Sequence, residues 1–213
     1  PGRGEMQYYA QNDPVWAAMR YEARKSKQAR PFGQGGCGPT SMAMAIANLV
    51  PEESLGGISA YARVENGYTF CTCSVNQYFC NHRHAQYKLE TPAEFRRYLP
   101  LAIASFATGN NIWGETSRGD GGGTNTAFMK RVTEAYGLYF TLTKDRELAL
   151  SALADGAMVI ASTGGKASPF TGGGHYLTLA SVYEGRLYIL DPYLKADYGK
   201  TDRRHLITQI EPG

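Results

Sequence analysis

Cysteine is scarce in this chain. Four in 213 residues is too few for a disulfide scaffold, and a domain of this size buries enough surface to fold without one. Charge is thin as well, at 19% of residues where about one quarter is usual. The net charge of +3 and the pI near 8.7 fall short of a nucleic-acid footprint, which asks for a pI above about 9 with cations gathered on one face. The single basic cluster, Arg20 to Arg30, is interrupted by Glu22 and reads as a solvated helix face, so no nucleic-acid partner is expected. Long apolar runs are missing too. MAMAIA and the interrupted ALADGAMVIAS stop well short of the roughly 18 to 20 residues of a membrane helix, so no membrane span is expected. The chain opens on Pro1 rather than Met, which leaves room for a targeting segment already removed.

What is present points to one globular domain over 1–213, with a hydrophobic fraction of 43% and no internal repeat. Residues 12–30 suggest a short helix after Asp13-Pro14, followed by a turn at Arg30 to Gly36. CGPTSMAMAIANLV predicts the strongest helix, with Pro39 in its first turn, a buried face of Met42, Ala43, Ile46, Ala47 and Leu49, and Pro51 closing it. Thr91 and Glu94 stand at capping-box spacing and open another helix. A Gly-rich loop at Gly119 to Gly123 leads to a helix from Thr124 to about Tyr136. Leu138 to Thr143 alternates like a strand, Asp145 to Asp155 reads as a helix, and Ala157 to Ser162 as a short strand. HYLTLASV and RLYILDP flank Tyr183-Glu184-Gly185 as a hairpin. Helices first and an antiparallel sheet afterwards indicate the α+β class.

Three residues form a candidate set for thiol chemistry. Cys37 lies between a glycine-rich turn and a helix N-terminus, a setting whose free N–H groups and dipole favour the thiolate. Alone, such a cysteine is commonly a small buried hydrophobe. His175 follows three glycines and opens a strand, with space for a substrate backbone on its N-terminal side. Asp191 ends the partner strand. A thiol nucleophile, an imidazole base and an orienting carboxylate suffice for acyl transfer. Register decides whether the last two meet. With Glu184 and Gly185 as a two-residue turn, Asp191 falls opposite Thr178, on the wrong face for His175; a different turn length or a bulge brings it onto the face of His175, Leu177 and Leu179.

The strings QGGCGPTSMAMAIANL, TGGGHYLTLASV and LYILDP, in that order, resemble papain-like cysteine peptidases of the bacteriocin-processing (double-glycine) type and their broad bacterial relatives. The resemblance runs from the Tyr9 to Trp16 string to Asp191-Pro192. It implies a papain-like fold with a helical half and an antiparallel sheet half, Cys37 as nucleophile, His175 as general base and Asp191 as its orienting partner. It also implies a glutamine amide at the oxyanion. Papain-like enzymes hold that residue six positions before the cysteine, where this chain has Pro31. Gln11 is favoured in its place, because its Tyr-Ala-Gln-Asn-Asp-Pro context matches where looser relatives put theirs, and Gln34 is the runner-up. The implied activity is hydrolysis of peptide or peptide-like amide bonds, cell-wall peptides included, in an extracytoplasmic or secreted bacterial setting and with no cofactor for catalysis. A catalytically silent binding module of the same fold, or a thiol acyltransferase or deamidase, stands as the alternative.

The insert at about 65–90 holds Cys71, Cys73, Cys80, His82 and His84. Cys71, Cys73, Cys80 and His82 can supply a tetrahedral zinc, with His84 an alternative ligand, although Cys-x-Cys is tighter than the usual finger spacing. A disulfide, Cys73 to Cys80 or Cys71 to Cys80, is the competing tie and leaves one thiol spare.

Overall fold

The computed structural model describes residues 6–18, 20–21, 30–57, 68–71, 86–109, 124–164, 170–193 and 206–209. In chain order these form β1 (Arg20–Tyr21), β2 (Arg30–Pro31), α1 (Phe32–Gly35), α2 (Cys37–Leu49), a 3-10 turn (Glu52–Gly57), β3 (Tyr68–Cys71), β4 (Gln86–Leu89), α3 (Pro92–Arg97) and α4 (Leu99–Gly109). There follow α5 (Thr126–Ala135), α6 (Arg146–Ala154), β5 (Val159–Thr163), β6 (His175–Tyr183), β7 (Arg186–Leu190) and β8 (Leu206–Gln209). Helices precede an antiparallel four-stranded sheet ordered β5-β6-β7-β8, so the class is α+β.

Helix α2 is the centre of the core. Gly38 through Ile46 are all buried, because α4 packs against it as well as β5 and β6. The sequence suggested one buried face; a helix apolar and small-residue-rich all round is instead enclosed. Leu49, expected on that face, is exposed. The sheet docks through the Thr178 hydroxyl, which donates to the Ser41 carbonyl at 2.8 Å. Helix α6 packs against β5 and β6.

Local chemistry sets the helix starts. Thr91 and Glu94 make the reciprocal capping box before α3. Asn125 caps α5 by accepting from the Ala127 N–H at 2.8 Å, and Asp145 caps α6 by accepting from Glu147 and Leu148.

Two elements differ from the sequence reading. Residues 12–18 form turns and then β1, where a helix was expected. Asp13 accepts from the Val15, Trp16 and Ala17 N–H groups, but the Ala17 carbonyl goes across to the Gly33 N–H at 2.9 Å instead of onward along a helix. Leu138 to Thr143 has no ladder partner among the described residues. Leu138 and Phe140 pack on the core while Tyr139 and Leu142 are exposed, so the alternation records one apolar wall and no strand pairing.

The β6–β7 hairpin turns on Glu184 (φ 49°) and Gly185 (φ 71°), two consecutive left-handed residues that identify a type I′ turn. Asparagine suits the first of those positions far better than glutamate. Glu184→Asn is therefore expected to raise stability by about 0.5–1 kcal/mol, seen as a higher urea midpoint at unchanged m.

Candidate active site

Cys37 is the first residue of α2, half-buried and a free thiol. The short helix α1 and Gly36 deliver the chain into it. Gly36 lies so close to Phe32 that a Cβ there would come within 2.7 Å of the Phe32 carbonyl oxygen, so only glycine lets the chain pass from α1 into α2 at this spacing. His175 is the first residue of β6 and only 5% exposed. Asp191 follows β7 and is fully buried.

The hairpin register brings the last two together. Tyr183 pairs with Arg186 across the two-residue turn, but a bulge between Leu179 and Ser181 gives β6 one extra residue, Ala180, against β7. Beyond it Leu179 faces Ile189 and Thr178 faces Leu190. One step further sets Asp191 across from Leu177, on the face that His175 shares. Of the alternatives left by the sequence, the turn is the two-residue one and the bulge supplies the shift.

The side chains complete the link. His175 Nε2 lies 2.8 Å from Asp191 Oδ1, and the same oxygen accepts from the Tyr193 N–H at 2.9 Å. Cys37 is the second partner that acts on the ring, through hydrogen bonding and charge that both raise the His175 pKa. Burial alone would push the imidazolium down. The hydrogen bonds to Asp191 and then Cys37, with the charges of both, outweigh burial and lift the His175 pKa to about 9. At neutral pH the ring is therefore held protonated between two acidic partners.

The N-terminal segment closes the site from behind. Gln7 and Asn48 exchange hydrogen bonds at 2.9 Å, anchoring the segment to the end of α2. The Tyr8 hydroxyl donates to the Asp191 carbonyl at 2.7 Å, and the Gln11 N–H donates to the Pro192 carbonyl at 2.7 Å. Gln11 is 3% exposed, and its Nε2 donates to the Gly33 carbonyl at 2.9 Å while its Oε1 is buried with no hydrogen-bond partner among the described residues. Gln11 is thus fixed between the Asp191-Pro192 corner and the segment that leads into Cys37. Gln34 is exposed on α1. The sequence held a sign of Gln11 in its Tyr-Ala-Gln-Asn-Asp-Pro context; it held none of the Tyr8 contact, which joins residues 183 positions apart.

Comparison with family models, curated proteins and solved structures finds no match.

Among the described residues, no three metal-ligating side chains gather. Cys73, Cys80, His82 and His84 lie outside those residues, and Cys71 is described only as the last backbone position of β3, opposite Gln86 of β4. No described helix is long and apolar enough to cross a membrane.

Proposed function

We propose that this protein is a cysteine peptidase of papain-like fold, hydrolysing peptide or peptide-like amide bonds through Cys37, His175 and Asp191. The observation that carries the reading is the buried His175–Asp191 pair itself, an imidazole whose Nε2 is held by a fully buried carboxylate and whose pKa is also raised by the half-buried Cys37 thiol. Buried titratable groups cost stability, and a fold keeps such a pair where it does chemistry. The packing of the Cys37 helix on the antiparallel sheet that bears His175 supports the papain-like arrangement.

The chemistry follows from the protonation state. The Cys37 thiolate attacks the substrate carbonyl carbon, and the C=O electron pair moves onto oxygen. As the tetrahedral species collapses, the C–N bond breaks and the His175 imidazolium gives its proton to the departing amine, leaving a thioester on Cys37. Neutral His175 then takes a proton from water as that water attacks the thioester, and the carboxylic acid leaves with the thiolate and imidazolium restored. Asp191 keeps the ring oriented and offsets its charge throughout.

The oxyanion is assigned to Gln11 Nε2 and the Cys37 backbone N–H. One Nε2 hydrogen is on Gly33, and the amide carries a second that would serve the substrate oxygen in this role. Gln11→Ala is expected to lower kcat by about 10²- to 10³-fold with little change in KM, whereas Gln34→Ala leaves both unchanged. Equal effects of the two substitutions would remove Gln11 from the role.

The glycines ahead of His175 support a peptide as the substrate class. Gly172, Gly173 and Gly174 each face open space where a side chain would begin, so a peptide backbone can lie against them. Cell-wall peptide in an extracytoplasmic bacterial setting fits such a site. A peptidyl electrophile that mimics a scissile amide is expected to attach once per chain, at Cys37, as read by mass spectrometry of the digested adduct. Attachment at another residue, or none, would sink the peptidase reading. A peptide-library cleavage profile then supplies the sequence preference.

A further inference from the structure

Tyr176 directly follows His175 and so projects to the other face of β6. That face carries Thr178, whose hydroxyl reaches Ser41 of α2, so Tyr176 extends toward the helix that begins with Cys37. Its hydroxyl donates to the Thr124 carbonyl at 3.2 Å. On the neighbouring strand it stands opposite Ser162. Thr124 in turn presses on the first turn of α2, since a Cβ at Gly38 would come within 1.8 Å of Thr124 Oγ1 and 2.3 Å of Thr124 Cβ. Gly38 is bonded to Cys37. A continuous line of contacts thus runs from the strand of the base, through the Tyr176 hydroxyl and Thr124, to the residue beside the nucleophile.

We propose that Tyr176 is a positioning residue for the nucleophile: by holding Thr124 against Gly38, its hydroxyl fixes the first turn of α2 relative to β6 and so sets the separation of Cys37 from His175. The inference rests on reading Cys37 as the nucleophile. The Thr124 hydroxyl is itself buried with no hydrogen-bond partner among the described residues, so its side chain meets Gly38 by packing alone. Gly38 contributes no side chain that would resist sliding. The hydroxyl also remains a donor across the working range, since burial and the nearby Cys37 charge push its pKa up and only the Ser162 hydrogen bond pulls it down.

Tyr176→Phe keeps the ring and removes the hydroxyl. Its kcat, or its maximal rate of Cys37 modification by the peptidyl electrophile, is expected to fall roughly 10-fold, the size of one well-placed hydrogen bond, with KM changed by less than about two-fold. The thermal midpoint is expected to move by less than about 2 °C, which separates positioning from a general loss of stability. Ser162→Ala leaves the Thr124 bond intact and is expected to stay within about two-fold of the parent rate. Parent rates in Tyr176→Phe, or an equal loss in Ser162→Ala, would overturn the proposal while leaving the peptidase reading in place. Absence of any Cys37 modification in the unaltered protein would overturn both.

Discussion

Cys37→Ala is expected to lower turnover of a cleaved peptide by about 10⁵- to 10⁶-fold, to the background left by binding alone. The size follows from the proposed mechanism, in which Cys37 forms the covalent intermediate while His175 and Asp191 only move or hold a proton. His175 still holds its proton and Asp191 still holds His175, yet neither can attack a carbonyl. Stability should hardly change. The sulfur is half-buried at the first position of α2, its loss leaves the enclosed stretch from Gly38 to Ile46 untouched, and the unfolding free energy is expected to stay within about 1 kcal/mol. Turnover measured beside a denaturation curve checks both halves. A residual rate within ten-fold of the parent would show that the chemistry runs elsewhere.

Asp191→Asn is expected to act on stability and rate together. The substitution keeps the shape and an acceptor toward His175 Nε2 but removes the charge facing a ring that is 5% exposed. Breaking a buried pair in this way costs about 3 kcal/mol at neutral pH, and turnover is expected to fall about 10²- to 10⁴-fold because the imidazolium is no longer held charged and oriented. The pH dependence gives a sharper readout. His175 is raised from 6.5 to about 9 in the folded chain. The folded state therefore binds the extra proton, and that contribution is complete below pH 6.5 and is lost as pH rises toward 9. With Asp191 neutralised, burial is opposed chiefly by Cys37 and the folded pKa drops. The decline in stability between pH 6.5 and 9 is then expected to flatten in Asp191→Asn relative to the parent. Urea midpoints across that range test it, since groups other than His175 cancel in the comparison. Parallel curves for the two proteins would remove the Asp191 charge from the account.

Much of the fold was legible because its signals are local. The Thr91–Glu94 box, the helix read from Asp145 to Asp155 and the Glu184-Gly185 turn each need only neighbours a few residues apart, and each forms. Helix α2 was legible as a helix, but the extent of its burial was not, because that depends on α4 and the sheet closing around it. Residues 12–18 carry a helix-start signal in Asp13-Pro14, yet the pairing of β1 with β2 and the Ala17 to Gly33 hydrogen bond take the backbone elsewhere. Strand β8 was not foreseen; it joins the sheet by pairing with β7. In the site, the order of Cys37, His175 and Asp191 pointed to one constellation, whereas the meeting of His175 with Asp191 hung on a register that the turn alone would have set wrongly. The buried seat of Gln11 depends on Pro192 and Gly33, which are far from it in sequence.

The extra residue at Ala180 divides the hairpin into two stretches with different tolerance to length change. Between Ala180 and the turn, adding or removing a matched residue from each arm lengthens or shortens the ladder and leaves Asp191 paired as before. On the site side of Ala180, a single unmatched residue in either arm turns Asp191 to the opposite face and offers the ring Leu190 or Pro192 in its place. The outer end of the hairpin is thus free to vary in length and to carry grafted sequence, while the inner end counts residues for the meeting of His175 with Asp191.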